Sequence, residues 1–221
     1  IPPILRVAKA KKLYDAFDER KIHRNLVPPL GGVAIFIGFI FATILTTNGY
    51  NFVNFRYIAL AVILLFFIGL KDDLIIIPAR KKLIVQIMAA LLIITFGDVR
   101  ISSFHGIFGI NNLHYITSLL FTLFVVVAII NAYNLIDGID GLASGLGILA
   151  STFFGVWFCL TGHIQFSIMS FALAGSLAGF FLYNVFGHKN KLFMGDTGSL
   201  VLGLLVSVMV IQFNEFNIEN T

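Results

Sequence analysis

Long apolar runs, separated by short polar segments, dominate the chain. Each run is about as long as the roughly 20 residues that an α-helix needs to cross the hydrocarbon core of a bilayer, or a little shorter, and the second and third runs are short. The pattern contains no internal repeat and no polar linker, so it predicts an all-α fold: one polytopic membrane helical bundle, a single domain over residues 1–221. We predict seven transmembrane helices, over residues 30–47, 57–70, 83–97, 115–131, 142–160, 164–186 and 200–213.

Composition supports a membrane protein. Apolar residues make up 58% of the 221 positions and charged residues 12%, whereas soluble domains are about 45–50% apolar and about 25% charged. These values exclude an ordinary soluble globule and a disordered chain. The single cysteine, Cys159, excludes an internal disulfide and makes a cysteine-based metal site unexpected.

The positive charge is distributed unevenly along the chain. Thirteen of the fifteen Lys and Arg residues lie before the first predicted helix or in the loops 71–82 and 187–199, and only Arg56 and Arg100 fall on the opposite side. Basic residues concentrate in cytoplasmic loops of membrane proteins. The pattern therefore predicts that these segments face the cytoplasm, and it explains the net charge of +4 without a nucleic-acid partner.

Five aspartates share this predicted cytoplasmic face. Helix ends can bring them together, and carboxylates that converge repel one another unless a cation lies between them. Hard oxygen ligands of this kind suit Mg²⁺, which often bridges to a substrate phosphate. The five residues are Asp72, Asp73, Asp137, Asp140 and Asp196.

The first motif, Lys71-Asp72-Asp73, ends the second predicted helix. Adjacent carboxylates at a helix C-terminus oppose the helix dipole, so the pair is locally unfavourable. Ionisable groups close to a membrane core are expected to be functional. We interpret the pair as one metal ligand and one base or nucleophile, with a merely polar loop as the alternative.

The second motif places a polar residue at every third position. Its members are Asn131, Asn134, Asp137 and Asp140. Residues three apart share a helix side, although the row drifts by about 60° per step. Gly138 and Gly141 interrupt the helix, which predicts a polar turn that lines a cavity at membrane depth. A polar helix end followed by an ordinary turn is the alternative.

The third motif, at 193–199, opens the last predicted helix. Asp196, Thr197 and Ser199 are residue types that cap helix N-termini. A helix start also offers free N–H groups and a positive dipole end to a phosphate. A phosphate position and a simply capped helix are the two interpretations.

Two further groups of residues are weaker candidates. Lys21 and His23 belong to a basic segment before the first helix, which suits anionic lipid and could equally hold a lipid phosphate or a nucleotide diphosphate. Lys82 and Gln86 begin the third helix, where a lysine that extends to the interface and a polar packing group are the plain interpretation.

On these residues the chain resembles the polyprenyl-phosphate N-acetylhexosamine-1-phosphate transferases. The matching segments occur in the family's order and extend over nearly the whole chain. The segment Arg20-Lys-Ile-His23 favours the GlcNAc-1-phosphate branch over the peptidoglycan translocase branch. The other matching segments are Gly31-Gly32, Asp72-Asp73, residues 82–86, residues 131–141, and Asn184 ahead of residues 193–199.

The resemblance implies a reaction and a location. A sugar 1-phosphate, GlcNAc-1-phosphate in this branch, would move from a UDP-N-acetylhexosamine to undecaprenyl phosphate with release of UMP, as the first membrane step of a cell-envelope glycan. Mg²⁺, or Mn²⁺ in its place, would be the cofactor. The enzyme would be a multi-pass protein of the bacterial inner membrane with a cytoplasmic active site, and a homodimer stays open. The family has ten or eleven spans, so this chain would be a fragment that lacks the first span and the last few.

The resemblance also implies residue roles. Asp196 matches a metal-binding aspartate, Asp72 matches the acid that deprotonates the lipid phosphate or attacks directly, and Asp73 supports it. Asp72 and Asp137 complete the implied metal set. The implied substrate-binding residues are Lys82, Asn131, Asn134, Asp137, Asp140, Asn184, Lys21 and His23.

Two other classes remain as alternatives. Membrane-embedded prenyltransferases also use Asp-rich loops and Mg²⁺, but they release pyrophosphate, and the block Gly195-Asp-Thr-Gly198 does not fit their motifs. A non-catalytic transporter would place charges near the midplane between inverted repeats, whereas these charges gather at one interface.

Overall fold

A computed structural model describes residues 1–10, 27–46, 55–109, 111–187 and 190–216. Over these residues the regular secondary structure is α-helical, joined by loops and turns, apart from one isolated antiparallel bridge between Ser103 and Asn112 and a 3₁₀ turn at Ile107–Gly109. The α-helices within this described part are α1 (Pro2–Ala10), α2 (Gly31–Thr46), α3 (Phe55–Leu74), α4 (Ala79–Thr95), α5 (Tyr115–Ile136), α6 (Leu142–Leu160), α7 (Ile164–Val185) and α8 (Gly195–Phe216).

The all-α prediction is confirmed, and each of the seven predicted segments coincides with a helix from α2 to α8. Among the described residues, four helices are long and apolar enough to cross a membrane, namely α5 to α8. Helix α2 is apolar but has only 16 residues, and α3 carries charged residues at both ends. The single-domain prediction covers undescribed residues as well and stays a prediction.

Four predicted helix ends differ from the structure by about one turn. Helix α3 continues to Leu74 instead of ending at residue 70, and α5 continues to Ile136 instead of residue 131. Helix α4 begins at Ala79 instead of residue 83, and α8 begins at Gly195 instead of residue 200. In each case the extra turn is polar, so the apolar pattern stops before the backbone hydrogen bonding does. The polar turns of α3, α5 and α8 thereby become part of the helices that hold the site.

Helix α8 is the centre of the bundle. Nearly every residue between Thr197 and Gln212 is buried, and the helix packs against α2, α3, α5 and α6. In the described chain, helices α2 to α7 lie around α8 in sequence order. Each contacts the next, and α7 contacts α2, which closes the ring. At Gly203 a Cβ atom would lie 2.6 Å from the Ile130 Cα atom, so a glycine there allows α5 to approach closely.

The two ends of the bundle differ in chemistry. The C-terminal turns of α3 and α5 and the N-terminal turns of α4 and α8 lie together at one end, where Lys82 contacts Asp72 and Asp196. At the other end the loop 98–114 is tied to the last turn of α8, because Glu215 accepts a hydrogen bond of 2.7 Å from the Ser102 N–H. We call the first of these the site end.

Candidate functional site

Lys82 joins two of the predicted catalytic aspartates. Its Nζ atom lies 2.9 Å from Oδ2 of Asp72 and 2.6 Å from Oδ2 of Asp196. The other oxygen of Asp72 accepts a hydrogen bond of 2.6 Å from the Ile77 N–H, at the start of the α3–α4 connection. The ammonium therefore lies between two carboxylates that are far apart in sequence, and it holds the ends of α3, α4 and α8 together.

Asn134 completes the surroundings of Asp196. Its Nδ2 group donates to Oδ1 of Asp196 at 2.7 Å and to Oγ of Ser199 at 2.9 Å. Since Lys82 contacts the other oxygen, both oxygens of Asp196 have a donor. Asn134 lies on the polar last turn of α5. One member of the polar residues that recur at every third position therefore contacts Asp196 of α8.

Asp73 contacts the beginning of α8 instead of Lys82. Its Oδ1 accepts the Asp196 N–H at 2.7 Å, and its Oδ2 accepts the Thr197 N–H at 3.1 Å and the Thr197 hydroxyl at 2.5 Å. The predicted phosphate position at this helix start is thus filled by the protein's own carboxylate, which supplies negative charge to the positive dipole end. Of the two interpretations, the structure shows a capped helix, with the cap coming from α3.

Asp137 lies just beyond the last residue of α5. Burial raises its pKa to about 8, and the nearby charges of Asp73 and Asp196 add to this effect. The backbone of Gly195 opposes this rise in pKa in part, and no ion pair to Asp137 occurs among the described residues. A carboxylate with a pKa raised in this way is a position where a bound cation would be favourable.

Asp140 and Lys191 form an ion pair at the edge of the site. The Nζ atom of Lys191 lies 2.5 Å from Oδ2 of Asp140 and 5.6 Å from the centre of the Phe193 ring. The pair links the turn after α5 to the segment before α8. Sequence reasoning assigned Asp140 to substrate binding without its lysine partner.

Two predicted substrate-binding amides contact protein groups. Asn131 donates to the Gln86 side chain at 2.9 Å and to the Val127 carbonyl at 2.8 Å. Asn184 is buried; its oxygen accepts the Gly141 N–H at 2.7 Å, and its amide donates to the Leu192 carbonyl at 2.9 Å. In this structure Asn131 connects α4 to α5, and Asn184 connects the turn after α5 to the segment before α8. Contact of either residue with substrate stays a prediction.

The sequence motifs contain two contributors to the site that were not predicted as site residues. Ser199 receives the Asn134 amide, and Thr197 donates to Asp73. Both residues belong to the segment that begins α8, and both are residue types that cap helix N-termini. This indicates a polar role, but it does not reveal their partners on α5 and α3. Lys21 and His23 lie outside the described residues.

A membrane-type helical bundle with carboxylates, amides and an ammonium gathered at one end is typical of a multi-pass membrane protein with a polar site at one end of its helices. Comparison with known sequences shows the family. The chain belongs to glycosyl transferase family 4, whose model matches residues 55–214. This match includes every described site residue named above.

Individual relatives cover nearly the whole chain. A probable undecaprenyl-phosphate N-acetylglucosaminyl 1-phosphate transferase of Bacillus subtilis is 33% identical over 210 residues, which are 94% of this chain and 57% of the relative. The undecaprenyl-phosphate alpha-N-acetylglucosaminyl 1-phosphate transferase of Yersinia pestis is 30% identical over 219 residues, 96% of this chain and 58% of the relative.

A third relative carries a different polyprenyl phosphate in its name. A decaprenyl-phosphate N-acetylglucosaminephosphotransferase of Mycolicibacterium smegmatis is 36% identical over 205 residues, 85% of this chain and 50% of the relative. The chain therefore spans between half and three-fifths of the length of these curated relatives.

Proposed function

We propose that the complete protein transfers GlcNAc-1-phosphate from UDP-GlcNAc to a polyprenyl phosphate, undecaprenyl phosphate in the first instance. An oxygen of the lipid phosphate attacks the β-phosphorus of the sugar nucleotide. The bond from that phosphorus to the bridging oxygen breaks, and UMP leaves with the electron pair. Membership of glycosyl transferase family 4 and the names of the relatives support this reaction.

The contact of Lys82 with both Asp72 and Asp196 is the observation that carries the proposal. Phosphoryl transfer requires mainly positioning and neutralisation of charge on phosphate oxygens. Lys82 is the group that could provide a cation to the diphosphate, and Asn134 holds Asp196 in orientation. Asp72 faces the same ammonium, and from this position its carboxylate could accept a proton from the lipid phosphate.

The donor set fits a divalent cation that protein and substrate hold jointly. Among the described residues no three acidic, histidine or cysteine side chains form a preformed ligand group. Mg²⁺, however, commonly takes one or two protein carboxylates together with waters and substrate phosphates. Asp196, Asp72 and Asp137 would hold Mg²⁺ or Mn²⁺, which when bound neutralises phosphate charge.

We propose that the site end faces the cytoplasm of a bacterial inner membrane. Lys71, Arg80, Lys81 and Lys191 accompany Lys82 at this end of the described chain, and positive loops favour the cytoplasmic side. UDP-sugars are soluble, so a site at this membrane face could take one substrate from water and the other from the bilayer. A homodimer stays a prediction.

The test uses the full-length protein purified in detergent, with undecaprenyl phosphate, UDP-GlcNAc and Mg²⁺. UMP release that requires lipid and metal, that chelation with EDTA stops, and that Asp196→Asn abolishes is the expected result. The matched control is Asp98→Asn, the same change at the opposite end of the bundle, where Asp98 contacts Arg100 and turnover should stay at the wild-type level.

Each alternative class gives a different result. Release with another UDP-N-acetylhexosamine but not with UDP-GlcNAc would retain the mechanism and change the sugar. Pyrophosphate release from a prenyl diphosphate would indicate a prenyltransferase. No nucleotide release from any UDP-sugar, in protein shown to be folded, would overturn the proposal and favour a transporter.

A further inference from the structure

The adjacent aspartates of α3 face different neighbours. Asp72 contacts Lys82 and the Ile77 N–H, whereas Asp73 contacts only the first turn of α8 among the described residues. Successive residues on an α-helix are about 100° apart around its axis, so the two carboxylates leave α3 in different directions. The division of contacts suggests a division of roles.

Both oxygens of Asp73 are occupied by α8. Oδ1 accepts one backbone N–H and Oδ2 accepts a backbone N–H and a hydroxyl, all from Asp196 and Thr197. The Thr197 side chain is fully buried, so water does not compete for this hydroxyl. A carboxylate has about four lone-pair positions, and three of those on Asp73 accept donors from the first turn of α8, so this carboxylate caps the helix.

Two glycines make this contact sterically feasible. At Gly69, one turn before Asp73, a Cβ atom would lie 2.6 Å from the Thr197 Cα atom. At Gly195 a Cβ atom would lie 2.6 Å from Oδ1 of Asp73, and the residue has φ of +69°, a region that favours glycine. The last turn of α3 is therefore seated directly on the first turn of α8.

The cap includes the backbone of Asp196. One of the three donors is the backbone N–H of Asp196 itself, and the carboxylate of that residue contacts Lys82 and Asn134. Losing the cap would allow the first turn of α8 to shift or fray, and the Asp196 carboxylate would move with it. A displacement of about 1 Å is enough to lower turnover by about a hundredfold.

We propose that Asp73 is a positioning residue: it caps α8 and thereby sets the position of the Asp196 carboxylate, while Asp72 and Asp196 face the reacting groups. This assignment replaces the expectation that Asp73 supports the chemistry directly. It rests on the proposed transferase function, because positioning is judged by turnover.

The decisive variants are at Thr197, which has no ionisable group. Thr197→Val removes the hydroxyl at nearly constant volume, and Thr197→Ser retains it. We expect Thr197→Val to lower kcat per folded protein by about tenfold, the value of one hydrogen bond to a charged group, with KM for UDP-GlcNAc within twofold. Thr197→Ser should retain kcat within about threefold of wild type.

The pH profile distinguishes positioning from proton transfer. Asp73→Asn keeps one acceptor oxygen but places an amide N–H₂ group opposite N–H or O–H donors of Asp196 and Thr197. We therefore expect a larger fall in kcat than for Thr197→Val. If Asp73 positions Asp196, the acidic limb of the kcat profile stays at its wild-type pH at a lower plateau. If that limb disappears in Asp73→Asn, or if Thr197→Val has wild-type kcat, the proposal is overturned.

A merely structural role predicts another pattern. Thr197→Val would then lower the thermal midpoint and the yield while kcat per folded protein stayed unchanged, and this result would also contradict the proposal. If Asp73→Asn has too little activity for a pH profile to be measured, the comparison of kcat between Thr197→Val and Thr197→Ser tests the proposal.

Failure of the transferase function is separable from failure of the cap. If wild-type protein releases no UMP, the function fails, and the cap is judged from thermal unfolding alone. The double variant Asp73→Asn with Thr197→Val should then be destabilised by less than the single effects combined, because both remove the same contact. Additive effects would refute the cap.

Discussion

Replacing Lys82 with methionine removes the cation that lies between Asp72 and Asp196 while keeping a side chain of similar length. In the wild-type structure the ammonium lies 2.9 Å from one carboxylate and 2.6 Å from the other. After the change, two carboxylates face each other without a compensating charge. We expect a lower stability of the protein and a large loss of turnover.

The size of the stability change follows from burial. Ion pairs on the surface contribute about 0.2–1 kcal/mol, whereas removing one partner of a buried pair costs about 3–5 kcal/mol. The side chain of Lys82 is 21% exposed and those of Asp72 and Asp196 are 13% and 22% exposed, so the pair lies between these limits. An intermediate loss of about 2–3 kcal/mol in unfolding free energy is therefore expected.

Mg²⁺ should reverse part of this loss. A divalent cation that binds the folded but not the unfolded protein stabilises it by mass action, and in Lys82→Met it no longer competes with the ammonium. We expect Mg²⁺ to raise the thermal midpoint of Lys82→Met more than that of wild type, although kcat for UMP release stays at least a hundredfold lower.

The assay is thermal unfolding of the full-length protein in detergent, with EDTA and with Mg²⁺, alongside UMP release. Lys81→Met is the matched control: Lys81 is adjacent and exposed, and it forms no ion pair within the described chain. An unchanged midpoint for Lys82→Met, or an equal response of both variants to Mg²⁺, would refute the electrostatic reasoning.

Three further predictions concern other parts of the structure. Gly195→Ala should lower the thermal midpoint by several degrees, because its Cβ would meet Asp73 at 2.6 Å, whereas Gly179→Ala, with no atom within 4 Å of the added Cβ, should not lower it. Relative to wild type, Asp137→Asn should stabilise the metal-free protein more at pH 8 than at pH 5. Burial raises the pKa of Asp137 in the folded protein to about 8, so the wild-type protein loses folding free energy as the pH rises towards that value. The amide of the variant does not titrate and avoids this loss. Glu215→Gln should weaken the Ser102 contact at the opposite end and lower unfolding free energy by about 1–2 kcal/mol, with kcat for UMP release unchanged; a fall in kcat would mean that the two ends are coupled.

The helices were predictable because the signal for them is local. An apolar run of bilayer length identifies a membrane helix without knowledge of its neighbours, and α5 to α8 follow such runs. Helices α2 to α4 follow shorter apolar runs that were still recognisable. The ends of α3, α5 and α8 were not predictable in this way. Their polar turns are stabilised by partners elsewhere in the chain, as Asn134 is by Ser199 and Asp196.

The gathering of polar groups at one end was also predictable, since helix topology alone determines which loops share a membrane face. The pairing inside that cluster was not. Lys82 lies 114 residues from Asp196, and nothing in either segment indicates that they touch. The same holds for Lys191 and Asp140, which are 51 residues apart.

Asp72 and Asp73 show where sequence reasoning reaches its limit. Their separation of about 100° around α3 follows from the sequence, but sequence reasoning assigned both carboxylates to the same site. Which of them faces the site depends on where α8 lies relative to α3, and that placement depends on Gly69 and Gly195, whose missing side chains allow the two helix ends to touch. A motif of two acids thus becomes one group at the site and one cap only after packing is known, and the glycines beside the motif carry the information that distinguishes them.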